Sequence, residues 1–166
     1  MHKVTAMRHS RLTTLLLMLV LLLTTSFSCF AKSQPIYDYD IVYAGNGEYG
    51  HYLVKVSVVV PNKKNITPII VKQHAVHGII YKGYSGENGC SSQKALIGSS
   101  QLTSEQQSAI EKLISEDYGM YASSVGNAIN VVKVKKGYQV TAVIAVNAGS
   151  LRNRLESMGV IRKLGL

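Results

Sequence analysis

Residues 37–60 read YDYDIVYAGNGEYGHYLVKVSVVV, and this stretch decides the fold. From Tyr37 to Tyr43 large apolar side chains alternate with aspartates, and from Tyr52 to Val60 a valine recurs at every second position. A period of two is typical of a β-strand with one buried face. The glycine-rich segment Gly45–Gly50 lies between the two strands, so the stretch predicts a β-hairpin.

The segment that joins these strands, Gly45-Asn46-Gly47-Glu48-Tyr49-Gly50, also matches the G-x-G-x-x-G pattern of dinucleotide-binding loops. That loop requires a helix to begin at its last glycine, because the helix N-terminus binds the pyrophosphate. A valine-rich strand is predicted here instead. We therefore interpret the glycines as turn residues.

A helix is predicted over residues 68–82. Thr67 is a suitable N-cap, Pro68 fits the first helical turn, and Gly83 suits the C-terminal end. On this helix His74 and His77 lie one turn apart and are expected to face solvent, opposite an apolar side formed by Ile69, Val76, Ile79 and Ile80. The many β-branched residues leave a strand as the alternative.

The remainder of the chain predicts a loop, two helices and a second hairpin. Residues 84–100 are rich in glycine and serine and predict a long loop. Thr103 and Gln106 form a capping-box pattern that begins a helix over 104–117. Alternation within 130–146, with a turn at Lys136-Gly137, predicts two more strands, and a short helix follows over 150–158.

The order of these elements predicts a single α+β domain over residues 32–166, a usual length for one domain. Strands that occur in hairpins, rather than alternating with helices, indicate an antiparallel sheet. We expect four strands in the order strand-strand-helix-helix-strand-strand-helix, with the helices packed on one face.

The first thirty-one residues predict a cleavable secretory signal. Lys3, Arg8 and Arg11 precede an apolar run from Leu12 to Leu23, and small or polar residues follow it. The run is shorter than the roughly 20 residues of a membrane-spanning helix. Cleavage is expected after Ala31, giving a protein of the periplasm or outer membrane. Alternatively, Cys29 is the lipidated first residue of the mature protein. Attachment to a membrane is expected only in that case.

Composition restricts the possible partners. Residues 32–166 carry fifteen Lys and Arg against nine Asp and Glu, a net charge of +6, which favours an anionic surface or another envelope protein as partner. The positive residues are scattered and no nucleic-acid motif accompanies them, so nucleic acid is not expected. No cofactor or metal is predicted, because His74 and His77 lack the further ligands that a zinc site requires.

The candidate binding surface joins the histidine face of the first helix to the long loop. It comprises His74, His77, Tyr81, Tyr84 and Cys90, since long loops on a rigid scaffold often carry recognition. The competing hypothesis is a small thiol enzyme or hydrolase in which His74 or His77 activates Cys90. Every other catalytic pattern lacks an obligatory partner, so a non-enzymatic binding or structural role in the envelope is favoured.

Two stretches, AVHGIIYKGY at residues 75–84 and LRNRLESMGVI at residues 151–161, resemble a group of small uncharacterised exported proteins of Bacteroides and its relatives. The resemblance implies a location in a Gram-negative cell envelope. It implies no activity, because neither stretch is a catalytic motif.

Overall fold

The computed structural model describes residues 35–48, 50–86, 92–98, 101–126 and 128–163. The predicted signal segment, Cys29 and Cys90 lie outside this part of the chain. Within it the fold is α+β, as predicted, with five strands and three α-helices: β1 (Asp38–Asn46), β2 (His51–Val60), α1 (Pro68–Tyr81), α2 (Ser104–Ser115), β3 (Ala122–Ser124), β4 (Asn130–Val134), β5 (Gly137–Asn147) and α3 (Ala148–Ser157).

The five strands form one antiparallel sheet, in which β2 lies between β1 and β5. The prediction of four strands is wrong, because the far side of β5 is shared by two short strands. β4 pairs with the first half of β5, and β3 pairs with residues 144–146. Strand β3 has only three residues and no alternation, so only its pairing with β5 defines it. The predicted β1–β2 hairpin is confirmed, and β2 follows Gly50 where a dinucleotide-binding loop would require a helix.

The sheet buries one face under α1. The four valines on this face of β2, Val54, Val56, Val58 and Val60, are fully buried, whereas Lys55 on the opposite face is exposed. Helix and sheet are in close contact at Gly78. A Cβ atom placed there would lie 2.8 Å from Cδ1 of Ile41 on β1. The alternating pattern therefore predicts correctly which side of β2 forms the core.

Helix α1 departs from the amphipathic pattern that the sequence predicts. Its start is as expected, because the Thr67 hydroxyl accepts a hydrogen bond from the Ile70 amide at 3.3 Å. However, Ile69 is 44% exposed and His74 is fully buried, the reverse of their predicted positions. The helix is covered on several sides, by the sheet, by α2 and by the residues that lead into β1, so it has no wide solvent face.

The described part of the 84–100 loop packs back onto the end of α1. The amides of Leu96 and Ile97 donate to the carbonyls of Ile79 (3.1 Å) and Ile80 (2.9 Å). The last carbonyls of a helix have no partner within the helix, so these bonds stabilise its C-terminus. The loop is therefore part of the fold of α1 as well as a connection.

The other two helices begin at side-chain caps. The predicted capping box of α2 is confirmed: Thr103 and Gln106 exchange hydrogen bonds of 3.2 and 3.0 Å. Helix α3 begins two residues before its predicted start, because the Asn147 side chain accepts from the Ser150 amide at 2.9 Å. Within the described residues, no helix has both the length and the apolarity needed to span a membrane.

Candidate functional site

His74 is a structural residue inside the core. Its Nε2 accepts a hydrogen bond from the Tyr37 amide at 3.0 Å, and its Nδ1 lies 2.6 Å from the Ile70 carbonyl oxygen. An amide can only donate and a carbonyl can only accept, so the ring must be neutral with its proton on Nδ1. Burial lowers the pKa of His74 below its usual range, in agreement with this state. The prediction that His74 faces solvent is wrong, because residues 35–39 cover this side of the helix.

His77 lies one turn further along α1 and pairs with a buried tyrosine. The hydroxyl of Tyr39 is 2.6 Å from Nδ1 of His77. Burial raises the pKa of Tyr39, so the phenol keeps its proton and can donate it to the ring nitrogen. Burial, with smaller effects from His74 and Lys82, lowers the pKa of His77 to about 4, so this imidazole is neutral near pH 7.

Lys82 closes the same cluster from the end of α1. Its Nζ donates to the carbonyl of Tyr39 at 2.9 Å and lies 3.8 Å from the centre of the Tyr39 ring. A cation over the face of an aromatic ring is attracted by the ring's negative charge distribution. These contacts hold Tyr39 of β1 against the end of α1.

A pocket of about 580 Å³ opens between α1 and α2 beside this cluster. This is the volume of a typical small-molecule site, roughly 300–1,000 Å³. Its apolar walls include Ile36, Leu102 and Ile114. Its polar residues form two facing stripes at four-residue spacing: Gln73, His77 and Tyr81 on α1, and Gln107, Glu111 and Ser115 on α2. Four-residue spacing brings side chains onto one face of a helix, so each helix presents a polar stripe to the pocket.

Gln73 has an unusual position in the pocket wall. It is 4% exposed, and its Nε2 donates to the Ser115 carbonyl at 3.0 Å. Because a carbonyl can only accept, this bond determines which end of the amide is nitrogen and which is oxygen. Oε1 of Gln73 is the one buried side-chain nitrogen or oxygen in the described part of the chain that has no hydrogen-bond partner. A buried acceptor without a donor costs about 1–3 kcal/mol of stability.

Glu111 and Tyr81 lie on opposite helices at the pocket. Glu111 is exposed and accepts a long hydrogen bond of 3.4 Å from Gln107. Burial, and to a smaller extent the nearby Glu111 carboxylate, raises the pKa of Tyr81. The ring of Tyr81 is 4.8 Å from that of His77, so the α1 side of the pocket carries two adjacent aromatic rings.

Tyr84 occupies a different place in the fold. It is 5% exposed and contacts the rings of Tyr43 and Tyr52, at centroid distances of 5.8 and 5.7 Å. Burial raises the pKa of Tyr84 to about 12, and it exchanges backbone hydrogen bonds with Gln93. This residue therefore fastens the loop to the sheet and does not line the pocket.

The five predicted site residues are thus divided. His77 and Tyr81 line the pocket, His74 lies behind it, Tyr84 lies in the tyrosine cluster, and Cys90 is outside the described residues. The pocket residues Gln73, Gln107 and Glu111 were not predicted. Their spacing was the available signal, since Gln73 precedes His77 by four residues and Gln107 precedes Glu111 by four.

A second depression, of about 590 Å³, lies beside the β1–β2 turn. It is lined by Asn46, Gly47, Glu48, His51, Leu53, Val125 and Ala145. The α1–α2 pocket is the stronger candidate site, because polar side chains from two helices face one another across it. Among the residues that the structure describes, no group of three or more His, Cys, Asp or Glu is placed to hold a metal ion.

Comparison of the chain with protein-family profiles, with curated proteins and with solved structures finds no match. Function is therefore inferred from the pocket.

Proposed function

We propose that this protein is an exported binding protein of the bacterial envelope that holds a small, partly apolar ligand between α1 and α2. One observation carries the proposal: a pocket of about 580 Å³ between two helices, in which apolar walls adjoin facing stripes of polar side chains. Mostly apolar walls with a few placed polar groups are typical of small-molecule sites.

The rigid surroundings of the pocket also support a binding role. His74 bonds to Tyr37, His77 bonds to Tyr39, and Gln73 bonds to the backbone of α2 at Ser115. These contacts hold both helices and the start of β1 around the pocket before any ligand arrives. A preformed site loses less conformational entropy on binding than one that must be ordered first.

The competing thiol-enzyme hypothesis is less well supported by the described histidines. A general base needs a ring nitrogen that can accept the proton of the thiol. Both nitrogens of buried His74 are bonded to the backbone, and Nδ1 of His77 is bonded to Tyr39. Because the neutral His77 ring then carries its proton on Nε2, that nitrogen is a donor and cannot take the thiol proton while the bond to Tyr39 is kept. Loss of labelling by a thiol-reactive probe at neutral pH on His77→Gln would favour the enzyme.

The binding proposal is tested with the protein produced from the full 166-residue sequence. Small amphiphilic compounds are titrated while amide chemical shifts are followed by NMR. We expect the shifts to concentrate on α1 and α2. Gln107→Trp, which places an indole at the pocket from an exposed position, should abolish binding.

Ser108→Trp is the matched control, because Ser108 is an exposed neighbour on the same helix and does not line the pocket. It should bind like the unmodified protein. Binding that persists in Gln107→Trp, or shifts that concentrate elsewhere, would contradict the proposal.

Export is tested separately. The charged start, the apolar run and the small residues of the first thirty-one positions support cleavage after Ala31. Intact-mass analysis of protein recovered from the cell envelope should give a chain that begins at Lys32. A full-length chain in the cytosol would refute export. A diacylglyceryl group on Cys29 would instead indicate a lipoprotein attached to a membrane.

A further inference from the structure

Five lysines meet at one end of the sheet. The antiparallel pairing places the end of β2, the end of β4 and the start of β5 there together. Lys135 and Lys136 form the turn between β4 and β5, and Lys63 and Lys64 lie in the turn that follows β2. Together with Lys133 on β4 they form a surface that we call the lysine end, and all five residues are exposed.

A close backbone contact brings the two groups of lysines together, although they are far apart in sequence. A Cβ atom placed on Gly137 would lie 2.9 Å from Cα of Pro61. Lys136 directly precedes Gly137, and Lys63 follows Pro61 by two residues. The Cα atoms of these two lysines are therefore no more than about 16 Å apart. Charges on both turns contribute to one positive potential.

This positive charge is not neutralised by ion pairs within the described part of the chain. The two ion pairs found there involve α2 and α3, and neither includes a residue of the lysine end. Asp38 and Asp40 are exposed on β1, but β1 and β4 lie on opposite sides of the central strands β2 and β5. The lysine end therefore presents an uncompensated cationic surface.

The composition of this surface suits a bilayer that contains anionic lipids. Lysine carries a compact charge that is attracted to a layer of head groups, whereas arginine is preferred where two parallel hydrogen bonds hold one phosphate or carboxylate. None of the five lysines lines the α1–α2 pocket or the depression beside the β1–β2 turn. Val131 and Val132 on the same hairpin are 41% and 51% exposed, and a lipid interface accepts such apolar side chains whereas an acidic polysaccharide does not.

The start of the described chain also lies beside the lysine end. The Tyr37 hydroxyl accepts a hydrogen bond at 2.6 Å from Asn65, the residue that directly follows Lys64. Cys29, the alternative lipidation site, precedes Tyr37 by eight residues. Eight extended residues span at most about 28 Å, so a chain anchored at Cys29 would keep the lysine end within reach of the bilayer.

We infer that the lysine end docks on a bilayer surface that contains anionic lipids, with the β4–β5 turn and the turn after β2 at the head groups. The contact is peripheral and electrostatic. It is distinct from anchoring through Cys29, and it does not depend on the α1–α2 pocket. Each lysine at an anionic membrane surface contributes about a fivefold gain in affinity.

Co-sedimentation with lipid vesicles measures this docking. The protein is used as it is recovered from the producing cells, and its N-terminus is recorded by intact mass. Vesicles consist either of phosphatidylcholine alone or of equal parts of phosphatidylcholine and anionic phosphatidylglycerol. We expect tighter binding to the mixed vesicles and loss of that preference at high salt, because ions screen the attraction between the lysines and the head groups.

Two double variants identify the residues responsible. Lys135→Gln with Lys136→Gln should weaken binding to the mixed vesicles about 25-fold, as expected for two lysines, and leave binding to neutral vesicles unchanged. Lys63→Gln with Lys64→Gln should have a similar effect. All four positions are exposed, so these changes are expected to leave the fold intact.

Lys55→Gln with Lys94→Gln is the matched control. It removes the same charge from two exposed positions, one within β2 and one on the loop after α1, and it should change vesicle binding little. Every variant has the same N-terminus as the unmodified protein, so differences in affinity report the exchanged lysines. Gln107→Trp, which blocks the pocket, should bind vesicles like the unmodified protein.

Three results would overturn the inference. The first is equal binding to neutral and mixed vesicles. The second is a control variant that loses as much affinity as the variants of the lysine end, since the effect would then reflect net charge alone. The third comes from polygalacturonate, an anionic polysaccharide: if it binds through the lysine end and the mixed vesicles do not, the partner is a polysaccharide. None of these results bears on ligand binding in the pocket.

Discussion

Acidification should destabilise the fold through the two histidines of α1. His74 and His77 both have a lowered pKa because they are buried, and in the unfolded chain both return to the usual value near 6.5. Below pH 6.5 the unfolded state therefore binds more protons than the folded state. By linkage the free energy of unfolding then falls as the pH falls, and it is at its full value only above pH 6.5.

The magnitude follows from His77, whose folded pKa is about 4. Each pKa unit corresponds to about 1.4 kcal/mol, so a fall from 6.5 to 4 gives at most about 3 kcal/mol. His77 retains some contact with solvent, which reduces this to about 1–2 kcal/mol. His74 acts in the same direction, because a proton on Nε2 would face the Tyr37 amide, another donor. Domains are typically stable by about 5–15 kcal/mol, so the loss is measurable.

Urea denaturation at pH 7, 6, 5 and 4.5 measures the effect. The unmodified protein should lose stability progressively from pH 6.5 downwards at constant m-value, since the same surface is exposed on unfolding. His77→Gln retains a side chain that can accept from Tyr39 but does not titrate. Its loss between pH 7 and 4.5 should be smaller by about 1–2 kcal/mol. If the variant and the unmodified protein show the same pH dependence, the assignment of the titration to His77 is refuted.

Three further substitutions test the packing, each by urea denaturation at pH 7. Gly78→Ala should destabilise by about 1–3 kcal/mol, because the added Cβ meets Cδ1 of Ile41. In an Ile41→Val background, which lacks this atom, the same change should be near neutral, because the gain in helix propensity then offsets the little strain that remains. Equal effects in both backgrounds would contradict this explanation. Thr103→Ala should cost about 1 kcal/mol, whereas Thr103→Ser should restore most of it. Gly137→Ala should lower the free energy of unfolding the most, by more than about 2 kcal/mol, because this residue has φ 136° and a Cβ would overlap the Val60 carbonyl oxygen. A variant as stable as the unmodified protein would refute this close approach of the two backbones.

Local chemistry made several features predictable from the sequence. The alternation in β2 predicts its buried face because neighbouring side chains of a strand must point to opposite sides of the sheet. The caps at Thr67 and Thr103 are predictable because donor and acceptor are three residues apart. The third helix began earlier than predicted, because the cap at Asn147 follows the last strand residues without a break.

Other features depend on contacts between distant parts of the chain. Strand β3 has no local pattern, and it exists because β5 offers it an unpaired edge. The positions of His74 and Ile69 could not be predicted from helical periodicity alone. Residues 35–39 cover one side of α1, and Tyr37 supplies the amide that satisfies the His74 ring.

The sequence by itself determined the α+β class, the two main hairpins and the starts of α1 and α2, since each follows from interactions among residues a few positions apart. The tertiary structure alone decided that Gln73 and Glu111 share a pocket with His77 and Tyr81. The two polar stripes are separated by more than twenty residues of chain, and only the packing of α2 on α1 brings them together. Packing also leaves Oε1 of Gln73 buried without a hydrogen-bond partner, at a cost of about 1–3 kcal/mol, because both helices close around this side chain.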